Sequence, residues 1–519
     1  MRLCRRTAVR RPSDTHDHPI GSRDLGMRVK RIALPVLSVL FLAGCATTVP
    51  DLDRERLEGD LMAYGVTLSE EELPKPRGEL ELESAIHQAL LRNPRMQAAY
   101  ARLDLEAADV IEASQFANPS LSLSVLRPEG GGGNEYGIGL AWGISGWLLR
   151  SARIDIAESH WESTRLQLTE GMVALASDTE RAWYEAVAAR QQAQVQALET
   201  RAADLGLRLG QRFHEAGNIT DLDKAHLRIR ATESRLQLEE ARRQERATRL
   251  YLAHLMGIPG EIEDWSVPAT LPLPLADPDA PGALVDQALD GRLDLAALDK
   301  ALDGMTEGVA LVRRYRWLGD IEPGIEFERE TDGTRLWGGG ITFTLPLFNR
   351  NQSGVHRAEA RLREGEARRD RLTDAIIADV HEQHYRLLHH RERFRMMREE
   401  LLPAREIAMA GIQERVNYMF DDVFDLLEHK QEELRDWRRT VAELGDYWRA
   451  RADLAYAVAG PLPGGPVGRE GYFDIGQLER EPGQMHHHHD HGHDHEDHGE
   501  PHDHEHGDHT EHSGHGGHH

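Results

Sequence analysis

The chain has 519 residues, of which 29% are charged and only 6% aromatic, and its formal net charge is −26 at pH 7. That acidity excludes a nucleic-acid phosphate backbone as a partner and suits a protein that meets cations. The length allows several domains, but the surplus of Ala, Leu, Glu and Arg favours long helices with narrow apolar seams over one thick core.

Residues 1–26 carry no targeting logic, so translation from Met27 is as compatible with the sequence as translation from Met1. Met27-Arg28-Val29-Lys30-Arg31 is a basic start, and 32–43 is an apolar run of about a dozen residues, too short to span a bilayer as a helix. It ends in Leu42-Ala43-Gly44-Cys45, which resembles the bacterial lipobox, so Cys45 is the expected lipidated residue. Ala46 follows it, which among lipoproteins implies sorting to the outer membrane. The only other cysteine, Cys4, lies upstream of the signal, so the mature chain keeps no free thiol and forms no disulfide. No later segment is apolar for long enough to be a transmembrane helix, and any spanning falls to strands.

The segments after the signal occur twice. Residues 85–99 read AIHQALLRNPRMQAA and 284–298 read LVDQALDGRLDLAAL, with Gln88-Ala89-Leu90 matching Gln287-Ala288-Leu289 at an offset of 199. In each copy two alternating segments follow, 120–126 and 136–145, then 321–330 and 336–345. Period-two alternation is the signature of strands, and in Tyr136-Gly137-Ile138-Gly139-Leu140 large apolar residues alternate with glycine. Such strands can turn large side chains to lipid and small ones to a lumen. The loop from Glu129 to Asn134 is the expected connection of the first hairpin.

Long helical runs come next, 147–216 and 353–416, each followed by a turn and a shorter helix. Pro346 closes the last strand before the second run. Val195, Leu198, Ala202, Leu205 and Leu209 step by threes and fours like a coiled-coil seam, and seventy helical residues extend about 100 Å. The expected organisation is an extension and signal over 1–44, a lipidated linker over 45–78, and repeat one over 79–265, with hairpin 119–145 and helices 147–257. A Pro-rich joint follows over 266–281, then repeat two over 282–460, with hairpin 321–345 and helices 351–459, a linker over 461–485 and a tail over 486–519.

Two regions are candidates for chemistry. Asp421 and Asp422 precede the last helix, and Asp422 and Asp425 share a face at i, i+3, where they either gather cations at a constriction or cap the helix. The tail has 16 His among nine Asp or Glu and nothing apolar to bury, so it is expected to stay disordered. His486, His487, His488, His489, His491, His493, His495, His498, His502, His504, His506 and His509 are its expected ligands for Zn, Co, Ni, Cd or Cu, with no cofactor required and no defined geometry. A pH-dependent charge brush is the competing reading of that tail. His381-Glu382-Gln383-His384 lacks the spacing of a zinc-protease motif, and no P-loop, nucleophile elbow or dinucleotide fingerprint occurs, so no enzyme is expected.

Leu82, Ala85-Ile86, Ala89-Leu90 and Asn93-Pro94, the run from Pro346 through Asn349-Arg350-Asn351-Gln352, and Gly217-Asn218-Ile219-Thr220-Asp221-Leu222 together resemble the TolC-type outer-membrane efflux factors. The last two segments resemble the heavy-metal branch, the CusC- and CzcC-like lipoproteins. The fold expected is therefore an internally duplicated α+β membrane protein with four transmembrane β-strands per protomer and long coiled-coil helices. The resemblance implies a homotrimer with a twelve-stranded barrel and a helical periplasmic tunnel, lipid-anchored in the outer membrane. It also implies docking to a periplasmic adaptor and an inner-membrane RND pump. In its terms Asp421, Asp422 and Asp425 form the gate, and Gly217, Asn218, Thr220, Asp221, Asn417, Tyr418 and Phe420 lie in the docking turns. Asn417 stands where the family prefers a turn glycine, a position whose left-handed backbone Asn tolerates.

Overall fold

Ala, Leu, Glu, Gln and Arg are strong helix formers, and they make most of this chain helical. The computed structural model describes residues 54–66, 74–130, 133–463 and 471–479. Cys45 and the histidine tail lie outside them. In chain order the main unit contains α1 (Arg54–Ala63), β1 (Gly78–Glu79), α2 (Leu82–Arg92), α3 (Pro94–Ser114), β2 (Ser120–Leu126) and β3 (Glu135–Ala141). Then come α4 (Ser145–Glu215), α5 (Asp221–Leu255), β4 (Trp265–Ser266), α6 (Pro281–Gly291), α7 (Leu293–Tyr315), β5 (Ile321–Arg329) and β6 (Arg335–Phe343). The chain continues through α8 (Gln352–Met396), a π-helical turn (Met397–Leu401), α9 (Leu402–Asn417) and α10 (Val423–Ala457). A second unit begins at Ile475, and its described part is a 3₁₀ turn, Gly476–Glu479, closed by the Leu478 amide donating to the Ile475 carbonyl (2.9 Å).

The duplication is visible element by element. Helices α6 and α7 each begin 199 residues after α2 and α3, and α5 and α10 are both 35 residues long. The long helix differs between the copies. Helix α4 runs unbroken for 71 residues, whereas its counterpart is interrupted by the π turn. Pro403 sits just beyond that turn; it has no N–H to donate and its ring crowds the preceding turn, which a local widening relieves.

The sheet differs from expectation. Strands β2, β3, β5 and β6 form one antiparallel sheet in that order, the two hairpins joined through β3 and β5, with Ile138 opposite both Leu123 and Phe327. It is open, with β2 and β6 as free edges, and among the described residues no closed barrel forms. β2 and β3 have seven residues each, short of the roughly nine to eleven that a tilted strand needs to cross a bilayer. No helix among the described residues is long and apolar enough to cross a membrane. The expected set of transmembrane strands in a twelve-stranded barrel is corrected to this open four-stranded sheet. The register brings Leu121, Leu123, Ile138, Leu140, Ile325 and Ile341 onto one face, all exposed.

The core lies where α4 meets α10 and the inter-repeat joint. Tyr184 stacks on Trp448 (centroids 4.8 Å apart), and both are buried together with Trp183, Tyr447 and Leu444. Each indole N–H finds a carbonyl, Trp183 that of Leu80 (2.9 Å) and Trp448 that of Pro272 (2.7 Å), which straps both linkers to the bundle. Buried Gln191 continues the strap, accepting from the Leu271 amide (3.1 Å) and donating to the Phe473 carbonyl (2.7 Å). The helical seam is shifted from the one the leucines suggest. Leu205 is exposed, while Ala203, Gly206, Leu207 and Gly210 are buried, because Leu427 of α10 and Leu227 of α5 press against the two glycines.

Candidate functional site

Two helical turns lie side by side at one end of the bundle, α4 to α5 and α9 to α10, joined by an edge-to-face contact of Phe213 and Phe424 (5.6 Å) and by Arg230 with Glu428 (3.1 Å). They are built alike. Helix α4 stops because Gly217 takes a left-handed backbone (φ 77°) and the Asn218 amide reaches back to the Phe213 carbonyl (2.8 Å). In the second turn Met419 takes that conformation (φ 61°) and the Phe420 amide reaches the Arg415 carbonyl (2.8 Å). The left-handed residue is thus Met419, and Asn417 is the last residue of α9. Tyr418, Met419 and Phe420 are all exposed, an apolar tip with no equivalent in Gly217 and Asn218.

Both descending helices begin with a capping box. The Thr220 hydroxyl accepts from the Asp223 amide (3.1 Å), and the Thr220 amide donates to Asp223 Oδ2 (3.0 Å). The Thr220 hydroxyl, donating to Asp223 Oδ2 (2.7 Å), and then the Thr220 amide hold the Asp223 carboxyl below the usual range. Asp221 meets His214 Nε2 at 2.8 Å. In the second turn Asp422 Oδ1 accepts from the Phe424 and Asp425 amides (2.6 and 2.9 Å), and Asp425 accepts from the Asp422 amide (3.3 Å). Asp421 forms a two-pronged pair with Arg415 (2.5 and 2.8 Å), whose guanidinium holds its carboxyl below the ordinary carboxylate range. The structure therefore places Asp421, Asp422 and Asp425 together at the tip, with Asp422 and Asp425 exposed. Each already has a local partner.

A second cluster lies between α8 and α10. One ligand atom each from His390, Glu443 and Asp446 fall within 4.8 Å of one another, a set that can hold a metal ion. Sequence reasoning missed it because the histidine stands 53 residues before its nearest partner. The one local signal was Glu443 and Asp446 at i, i+3, one helical turn apart on the same face as the seam.

A duplicated chain of paired hairpins and very long antiparallel helices, ending in two capped turns, is the fold shared with several solved outer-membrane channels. Residues 85–258 match the family described as outer membrane efflux protein. The Campylobacter jejuni CmeC outer membrane channel superposes with a TM-score of 0.64 over 77% of this chain and 92% of its own, at 16% identity. The open state of the Neisseria gonorrhoeae MtrE outer membrane channel gives 0.61 over 80% and 98%, at 14% identity. The nickel-cobalt-cadmium resistance protein NccC of Alcaligenes xylosoxydans xylosoxydans is 26% identical over 309 residues, covering 55% of this chain and 65% of that relative's length. Over residues 85–258 the chain matches that efflux family, and beyond them it shares the fold alone with these channels. Efflux is transport, so this match lends no support to a catalytic role.

Proposed function

We propose that the chain is the outer-membrane exit conduit of an efflux system and that its cargo is transition-metal cations. It acts as a homotrimer anchored by lipid on Cys45, its paired turns meeting a periplasmic adaptor that links it to an inner-membrane RND pump. The observation that carries the conduit reading is the efflux-family match across the first repeat, on a fold that the second repeat duplicates. Three features support the metal cargo: the resistance to nickel, cobalt and cadmium in the relative's name, the histidine-rich tail, and the exposed Asp422 and Asp425 beside the second turn. The first rival is a conduit for organic compounds. The capping geometry favours it, since the tip aspartates already serve α10.

Asparagine caps a helix as well as aspartate does, so Asp422→Asn with Asp425→Asn removes charge while keeping the turn. The metal reading expects this double variant, combined with deletion of residues 486–519, to lower tolerance to zinc, cobalt, nickel or cadmium about tenfold, with dye efflux unchanged. Unchanged metal tolerance, in a strain whose dye efflux needs the protein, would establish the organic cargo instead. A third reading, a periplasmic metal-binding protein without a pore, expects neither kind of efflux to need the chain.

A further inference from the structure

We propose that His390, Glu443 and Asp446 form a binding site for a zinc-like divalent transition-metal ion that clasps α8 to α10. This inference does not rest on the cargo, because the ion here is a resident cross-link between two helices. His390 Nδ1 lies 2.7 Å from Glu443 Oε1, and Asp446 stands one helical turn beyond Glu443 on the same face. The Glu443 side chain is 8% exposed, so its carboxylate is already stripped of most water. Arg393 Nε holds the other oxygen, Oε2, at 2.9 Å and Arg449 pairs with Asp446, so both carboxylates are oriented from behind while Oε1 faces the imidazole.

An ion entering between Nδ1 and Oε1 replaces the hydrogen bond there, and the ring proton of neutral His390 moves to Nε2. One imidazole and two carboxylates leave a fourth position open, the donor set of zinc and its neighbours; calcium and magnesium need more oxygen ligands. The open side faces a groove of about 480 Å³ lined by His390 and Asp446. Asp178, Glu185, Asp446 and Asp453 outnumber Arg181, Arg386 and Arg449 along that groove, which leaves it with an excess negative charge. Arg181 is itself paired with Asp453 (2.6 Å), so it does not repel an incoming cation as a bare charge would.

The test is thermal melting of the helical circular dichroism signal of the full chain, with and without excess Zn²⁺. His390→Ala and Asp446→Asn leave the histidine tail unchanged, so a shift that both variants lose belongs to the clasp. The proposal expects Zn²⁺ to raise the wild-type melting temperature by at least about 3 °C and to leave His390→Ala and Asp446→Asn unshifted. The metal-free melts of the two variants, each changed at a half-buried position, show whether they fold. No shift in the wild type, or an equal shift in all three proteins, would overturn the proposal.

Discussion

Gly257→Ala is expected to destabilise the protein by about 3 kcal/mol or more. Gly257 follows α5 with a left-handed backbone (φ 71°), and a Cβ there would fall 2.6 Å from the Arg92 carbonyl oxygen and 2.7 Å from its carbon. Those are backbone atoms at the α2–α3 junction, so no side chain can swing away. The same junction is pinned by buried Asn93, which donates to the Leu255 carbonyl (2.8 Å) while accepting from the Arg95 amide (2.9 Å). Ala459, the equivalent position 202 residues later, already holds a left-handed backbone (φ 58°) beside Gly291, where there is room for its methyl. Ala459→Gly is therefore expected to change stability by less than about 1 kcal/mol, since relief of backbone strain offsets a lost methyl. Melting both variants in one buffer checks the contrast. A Gly257→Ala loss no larger than the Ala459→Gly change would show that the end of α5 does not abut the α2–α3 junction at Arg92.

The second large effect is a pH dependence centred on Glu180, on α4. Burial pushes its carboxyl up to about 7 from the ordinary 4.5, against the pull of Arg451 and Arg181. Tyr184, one turn along, is raised chiefly by its own burial, with the Glu180 charge adding to the shift. Arg451, from α10, donates to the Pro463 carbonyl (2.6 Å) and keeps its Nη1 buried without a hydrogen-bond partner. Between pH 4.5 and 7 the folded chain holds a proton that the unfolded chain has released. Its contribution is complete below pH 4.5 and is lost as pH rises through 7. For a half-buried group this amounts to roughly 2–3 kcal/mol. Glu180→Gln is expected to flatten the fall in melting temperature over that window and to leave the variant more stable than the wild type at pH 8. Parallel curves for the two proteins would contradict the assignment.

The duplication was legible because Gln88-Ala89-Leu90 and Gln287-Ala288-Leu289 lie at the spacing that α2 and α6 keep. Strand 120–126 was legible because alternation is a local property, and β2 has those bounds. Closure was not, since a period of two says which residues share a face but not where a sheet's edge strands end. Leu205 misled the seam because the small residues Ala203, Gly206 and Gly210 admit neighbouring helices more closely than a leucine row does. Local preference pointed to Asn417 for the left-handed turn. The bond from the Phe420 amide to the Arg415 carbonyl and the Arg415–Asp421 pair place it at Met419. The cluster of His390 with Glu443 and Asp446 depends on two helices far apart in sequence, and no local pattern carries that information.

Efflux through this chain is tested most directly by cellular accumulation. In a strain lacking the gene, and in one restored with the wild-type chain, the retained zinc, cobalt, nickel, cadmium and copper would be measured alongside an organic efflux dye. A conduit for metal cations expects metal content to rise several-fold on removal and to return with the restored gene. Identical metal and dye contents in the two strains would contradict an efflux role.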